Sequence, residues 1–132
     1  MYSEYDIRSK AWLVVEVCNL VLLPDKLQVD KIFLVGSYAS GKANEWSDID
    51  FVVQLKGEID PRFPLTKPRL YPIPSRIEEI YTKIDNKRVH VIFGTEQATR
   101  SLHQKHKHEK KNYSYRELNL GGIHATAHST IT

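Results

Sequence analysis

A chain of 132 residues has room for one domain and too little for two ordinary ones, so any site must be assembled on a single small core. With 41% hydrophobic and 27% charged residues, six glycines and six prolines, the composition excludes collagen-like, fully disordered and coiled-coil chains. The net charge of +3 is concentrated: residues 100–116 carry six Lys or Arg against one Glu, which leaves the remainder slightly acidic.

Ile7, Ala11, Val14, Cys18 and Leu22 recur at helical spacing until Pro24 stops the pattern, which predicts a buried helix over Asp6 to Leu23. Its apolar run, Ala11 to Leu23, is broken by Glu16 and Asn19 and falls short of the roughly 20 residues a membrane span needs, so no membrane partner is expected. Glu4 and Asp6 ahead of it do not suit a secretory signal. The single cysteine, Cys18, excludes a disulfide within the chain and fits a reducing, cytoplasmic setting.

Ile32 to Val35 is a continuous apolar run closed by Gly36, the pattern of a strand buried on both faces. Asp48 to Leu55 alternates: Ile49, Phe51, Val53 and Leu55 share one face, Asp48, Asp50, Val52 and Gln54 the other. Five prolines between Gly57 and Pro74 predict a long loop. Ser75 to Glu78 reads as a capping box, and Ile77, Ile80, Tyr81 and Ile84 follow at helical spacing, predicting an amphipathic helix over Ser75 to Ile84. Arg88 to Phe93 is a third strand, ended by Gly94, with a short helix from about Thr95. Residues 1–104 thus form the domain, and 105–132 a basic, weakly patterned tail.

The chemistry concentrates in Gly36-Ser37, ten residues, then Asp48-x-Asp50. A glycine and a serine at the mouth of a buried strand let backbone N–H groups and a hydroxyl approach a phosphate closely, because glycine carries no Cβ. Two carboxylates two apart on a strand share a face and offer the hard oxygen ligands that Mg²⁺ takes.

Over roughly residues 6–104 this pattern resembles the DNA polymerase β-like nucleotidyltransferase superfamily, and in its brevity the minimal, antitoxin-like nucleotidyltransferases. The resemblance implies an α/β (α+β) fold, a small mixed sheet flanked by helices. It also implies metal-dependent transfer of a nucleoside monophosphate, most simply AMP from ATP, to a hydroxyl of a protein or RNA acceptor. Carried onto this chain, Gly36 and Ser37 would hold phosphates with Lys42 assisting, and Asp48 and Asp50 would ligate Mg²⁺ or Mn²⁺. The resemblance further suggests one half of a toxin–antitoxin pair, with a small helical partner.

One family position departs. A third carboxylate is expected on the strand after the helix, and His90 stands there. An imidazole is a poor Mg²⁺ ligand but titrates near neutral pH, so His90 is a candidate catalytic base. Glu96 is an alternative acid, and a nucleotide-binding or partner-docking module with impaired catalysis is the rival reading. His103, His106 and His108 do not share one helical face, and with their lysines they read as a solvated run. Lys105, Lys107, Lys110, Lys111 and Arg116, with Tyr113 and Tyr115, have a composition able to grip nucleic acid, although a solvated tail is the plainer reading. Trp12 reads as core; Trp46 reads as either a packing lid or a stacking surface.

Overall fold

The computed structural model describes residues 2–22, 27–56, 78–109 and 113–121. In chain order the elements are α1 (Glu4–Leu22), β1 (Gln28–Val35), α2 (Gly36–Ser40), β2 (Ile49–Lys56), β3 (Glu78–Ile84), β4 (Lys87–Thr95), α3 (Glu96–Glu109) and β5 (Tyr115–Glu117). The five strands form one mixed sheet in the order β3-β4-β2-β1-β5. Among the described strands only the central β2–β4 pairing is parallel. This is the α/β nucleotidyltransferase-type fold that the resemblance implied.

The alternation along β2 explains its central place. Ile49, Phe51, Val53 and Leu55 face α1, where they bury with Ile7, Ala11, Val14 and Val15 against Ile32 and Leu34 of β1. Val52 points the other way and joins Val35 and Ile92 beneath α3, with Phe33, Leu102 and Tyr113 packed around them. Both faces are covered, which is what an apolar central strand requires. Trp12 and Cys18 lie partly buried at the rim of the α1 core. Burial pushes the Cys18 thiol up to about 11. Among the described residues no helix is long and apolar enough to cross a membrane.

Two expectations are corrected. The helix expected over Ser75 to Ile84 is a strand from Glu78 onward, while 75–77 and the proline-rich stretch lie outside the described residues. Ile80, Thr82 and Ile84 are β-branched at alternate positions, a pattern a pleated strand satisfies as well as the helical period did. The hairpin turn decides between them. Asp85 and Asn86 both have positive φ, 52° and 63°, and join Ile84 to its partner Lys87 as a two-residue loop of type I′ geometry.

The second correction concerns the tail. α3 runs through the His/Lys stretch to Glu109, capped at its start by Thr95 Oγ1, which accepts from Ala98 N at 3.1 Å. β5 then pairs with β1, and Leu118 and Leu120 are buried in the α1 core. Arg116 reaches Glu4 at 2.7 Å, and Arg8 donates to the Asn119 carbonyl. Residues 113–121 are therefore part of the sheet layer, and a boundary at 104 falls inside α3. The expected solvated run also fails at His103, which is only 7% exposed.

Candidate active site

The turn between β1 and α2 is built around Gly36. Its φ is +74°, and a Cβ there would lie 2.5 Å from Asp50 Oδ2. Only glycine lets the β1 terminus approach the β2 carboxylate this closely. α2 is a single tight turn closed by Gly41 (φ +76°), and Lys42 N bonds to the Ser37 carbonyl at 2.9 Å. The approach to β2 is fixed by Asn44: its Oδ1 accepts from Trp46 N at 2.8 Å, and Ser47 Oγ accepts from Asn44 N at 2.9 Å.

The parallel register sets Asp50 opposite His90. His90 Nδ1 lies 3.2 Å from Asp50 Oδ1, and Nε2 lies 3.3 Å from Glu79 Oε1 without forming a hydrogen bond. Tyr81, the direct partner of His90 on β3, stacks on the imidazole with centroids 4.1 Å apart and planes within 3°. The Asp50 contact and the Tyr81 stack together orient the imidazole.

Gly36, Ser37, Asp50, Glu79 and His90 line a common cavity of about 630 Å³, closed on the α3 side by His106 and Tyr113. Of the residues expected from the sequence, Gly36, Ser37, Asp50 and His90 are brought together. Asp48 and Lys42 are not among the lining residues. Asp48 Oδ1 lies 2.8 Å from Arg88 Nε, and Arg88 also donates to the Trp46 carbonyl. Trp46 is 76% exposed and covers no core. Glu96 pairs with Arg100 and lines a different cleft, so it does not supply the missing acid.

Glu79 is the cavity-lining carboxylate that sequence reasoning missed. Assigned to a helix, it had no reason to face the site. On β3 it sits two residues from the direct partner of His90 and presents its carboxylate to the same cavity. The Asp85-Asn86 turn signal was the available clue.

The donor set suits a hard cation in part. Asp50 offers carboxylate oxygens inside the cavity, and Asp48 Oδ1 is a second, buried carboxylate oxygen. Against this, Arg88 stands at Asp48, and among the described residues no three His, Cys, Asp or Glu form a metal-holding group. A cation would be held by Asp50 and Asp48 only with Arg88 turned outward, which its exposed side chain allows.

At the mouth of β1 a glycine–serine turn is thus set against the Asp50 carboxylate of the central strand. The family model described as "Nucleotidyltransferase domain" matches residues 20–118, well over half of the chain, and the chain belongs to that family. No curated protein matches it.

Proposed function

We propose that the protein is a metal-dependent nucleotidyltransferase that moves a nucleoside monophosphate, in the simplest case AMP from ATP, onto a hydroxyl of an RNA or protein acceptor. The observation that carries this is the convergence of Gly36, Ser37, Asp50 and His90 on one cavity in a chain of this family.

In this reading the Ser37 hydroxyl and the open backbone at Gly36 bind the phosphates. Asp50, with Asp48, would hold Mg²⁺ or Mn²⁺. When bound, that cation neutralises the triphosphate and stabilises the departing pyrophosphate. His90, oriented by Asp50 and Tyr81, takes the proton of the acceptor hydroxyl. The acceptor oxygen bonds to the α-phosphorus, and the bond from that phosphorus to the bridging oxygen breaks. Pyrophosphate leaves with the electron pair.

The rival reading, a nucleotide-binding or partner-docking module with impaired turnover, is favoured by one observation: Arg88 occupies Asp48. A small helical protein partner, as the resemblance suggests, is compatible with both. Incubation with α-labelled ATP, Mg²⁺ or Mn²⁺, total RNA and candidate proteins separates the two. Label transfer that falls at least about 100-fold in Asp50→Asn supports the enzyme. Saturable ATP binding with no transfer to any acceptor supports the module.

A further inference from the structure

On the α3 side of the sheet a second cleft, of about 390 Å³, opens between β1, β5 and α3. Three cationic side chains line it: Lys31 from β1 and Arg100 and Lys107 from α3. Arg100, Gln104 and Lys107 fall at i, i+4 and i+7, one stripe along the helix about 10 Å long. Glu96, the one acidic residue among its lining, pairs with Arg100, and Glu117 of β5 stands 3.6 Å from Lys31; both pairs are exposed, so Lys31 and Arg100 would exchange these carboxylates for phosphates, and Lys107 adds a third cation.

The floor of the cleft is aromatic. Tyr115 stacks on His103 with centroids 4.0 Å apart and planes within 11°, and Phe33 meets both rings edge-on at 4.8 and 5.8 Å. The His103 side chain is buried, its Nδ1 is 3.0 Å from Tyr113 Oη, and its Nε2 has no hydrogen-bond partner among the described residues. Tyr115, in contrast, is 45% exposed. A ring packed from below and open to solvent above is a stacking platform with little conformational freedom left to lose.

The cleft and the active-site cavity share a wall. Tyr113 and His106 line the first cavity, while His103 and Lys107 line the second, and the Tyr113–His103 contact lies between them. Cations in a row beside an exposed ring are what a single strand demands of its host: charge for the phosphodiesters and a flat surface for a base.

We propose that this cleft binds single-stranded RNA, with Lys31, Arg100 and Lys107 on the phosphates and Tyr115 beneath a base, so that the strand leads over the Tyr113 wall toward the active-site cavity. In assigning RNA as the acceptor, the proposal rests on the transfer reading above; the binding itself does not.

The test is fluorescence anisotropy of the full chain with a labelled twelve-nucleotide RNA, without nucleotide or divalent cation, over a range of salt. Three phosphate contacts to a single strand predict a slope of log affinity on log salt near about −2. Arg100→Gln with Lys107→Gln should bring it to about −0.7, and Tyr115→Ala should weaken binding roughly tenfold while Tyr115→Phe does not. Asp50→Asn should bind like the parent. Circular dichroism melting confirms that each variant is folded.

The proposal is overturned if Arg100→Gln with Lys107→Gln leaves affinity and slope unchanged. It is equally overturned if Asp50→Asn abolishes binding, or if a poly-glutamate chain of equal charge binds as tightly as the RNA. Binding through the cleft with no label transfer to any acceptor refutes the transfer reading alone. Transfer to a protein by a chain that does not bind the oligonucleotide refutes the cleft alone.

Discussion

Replacing Gly36 by alanine perturbs the contact on which the candidate site is built, and its cost can be separated into parts. The positive φ of +74° penalises any Cβ by about 1–2 kcal/mol, partly offset by the lost freedom of the unfolded glycine. Gly41→Ala carries the same two effects at φ +76°, with nothing within 4 Å of the added carbon. At Gly36 the new Cβ would also stand 2.5 Å from Asp50 Oδ2, inside any real contact, so the carboxylate must swing away. Its other oxygen then leaves His90 Nδ1, now 3.2 Å distant, forfeiting a charge-assisted bond worth about 1.5–3 kcal/mol. Gly36→Ala should therefore be less stable than Gly41→Ala by that amount, read as a melting temperature about 5–15 °C lower. In an Asp50→Ala background the excess should vanish, because the remaining Asp50 Cβ is an ordinary 3.7 Å away. Equal melting temperatures for the two alanine variants, or an excess that survives loss of Asp50, would refute the reasoning.

Four further outcomes are expected. Asn86→Gly should stabilise the β3–β4 hairpin by a few tenths to about 1 kcal/mol in urea unfolding, since glycine suits the second position of a type I′ turn; Asn86→Ile should cost about 1–2 kcal/mol. Burial, and secondarily His106, hold His103 below its usual 6.5, so the unfolded chain takes up this proton first on acidification. The stabilisation is fully present above pH 6.5 and declines as pH falls below it, and His103→Gln should flatten the unfolding free energy between pH 7 and 5. The Cys18 thiol, raised from 9.0 to about 11, should react with a disulfide reagent at pH 8 roughly a hundredfold more slowly in the native than in the urea-unfolded chain. Arg88→Gln, by removing a cation beside Asp48, should tighten Mn²⁺ binding several-fold in calorimetric titration, and unchanged affinity would show that Arg88 does not compete for that carboxylate.

The elements that were legible in the sequence are those whose pattern has one physical solution. The apolar period of α1, the run before Gly36 and the alternation of Asp48 to Leu55 each allow one buried arrangement, and all three are present. Residues 78–84 were not legible by period, because isoleucines at 77, 80 and 84 fit a helix while alternate β-branched residues fit a strand. The Asp85-Asn86 turn, whose residues tolerate positive φ, settles that choice locally, and tertiary pairing with β4 completes it. The tail was misjudged for a different reason. β5 is three residues long, all exposed, and owes its place to the β1 edge and to Leu118 and Leu120 rather than to any pattern of its own. The candidate site was half legible: Gly36, Ser37 and Asp50 come from motif spacing and His90 from the family resemblance, but Glu79 depended on the mistaken element, and the capture of Asp48 by Arg88 is a contact that no spacing reveals.

That capture bears on how a nucleotide would enter under the proposed function. The register that sets Asp50 of β2 against His90 also brings Asp48, just before β2, beside Arg88, so each of the two aspartates meets a basic side chain of β4, and only the Asp50 pair opens to the cavity. Glu79 adds a second carboxylate there, and among the described lining residues the only possible cations are the imidazoles of His90 and His106. A triphosphate would bring several negative charges up to these two carboxylates, and like charges that close repel even where solvent partly screens them. The Ser37 hydroxyl and the Gly36 backbone can orient phosphate oxygens but supply no net charge to offset it. Under the proposed function the nucleotide would therefore have to arrive with its counter-charge. Under the proposed function, binding of a triphosphate and of a divalent cation in this cavity would be thermodynamically coupled, each strengthening the other by the same factor, with the coupling centred on the Asp50 carboxylate beside Gly36.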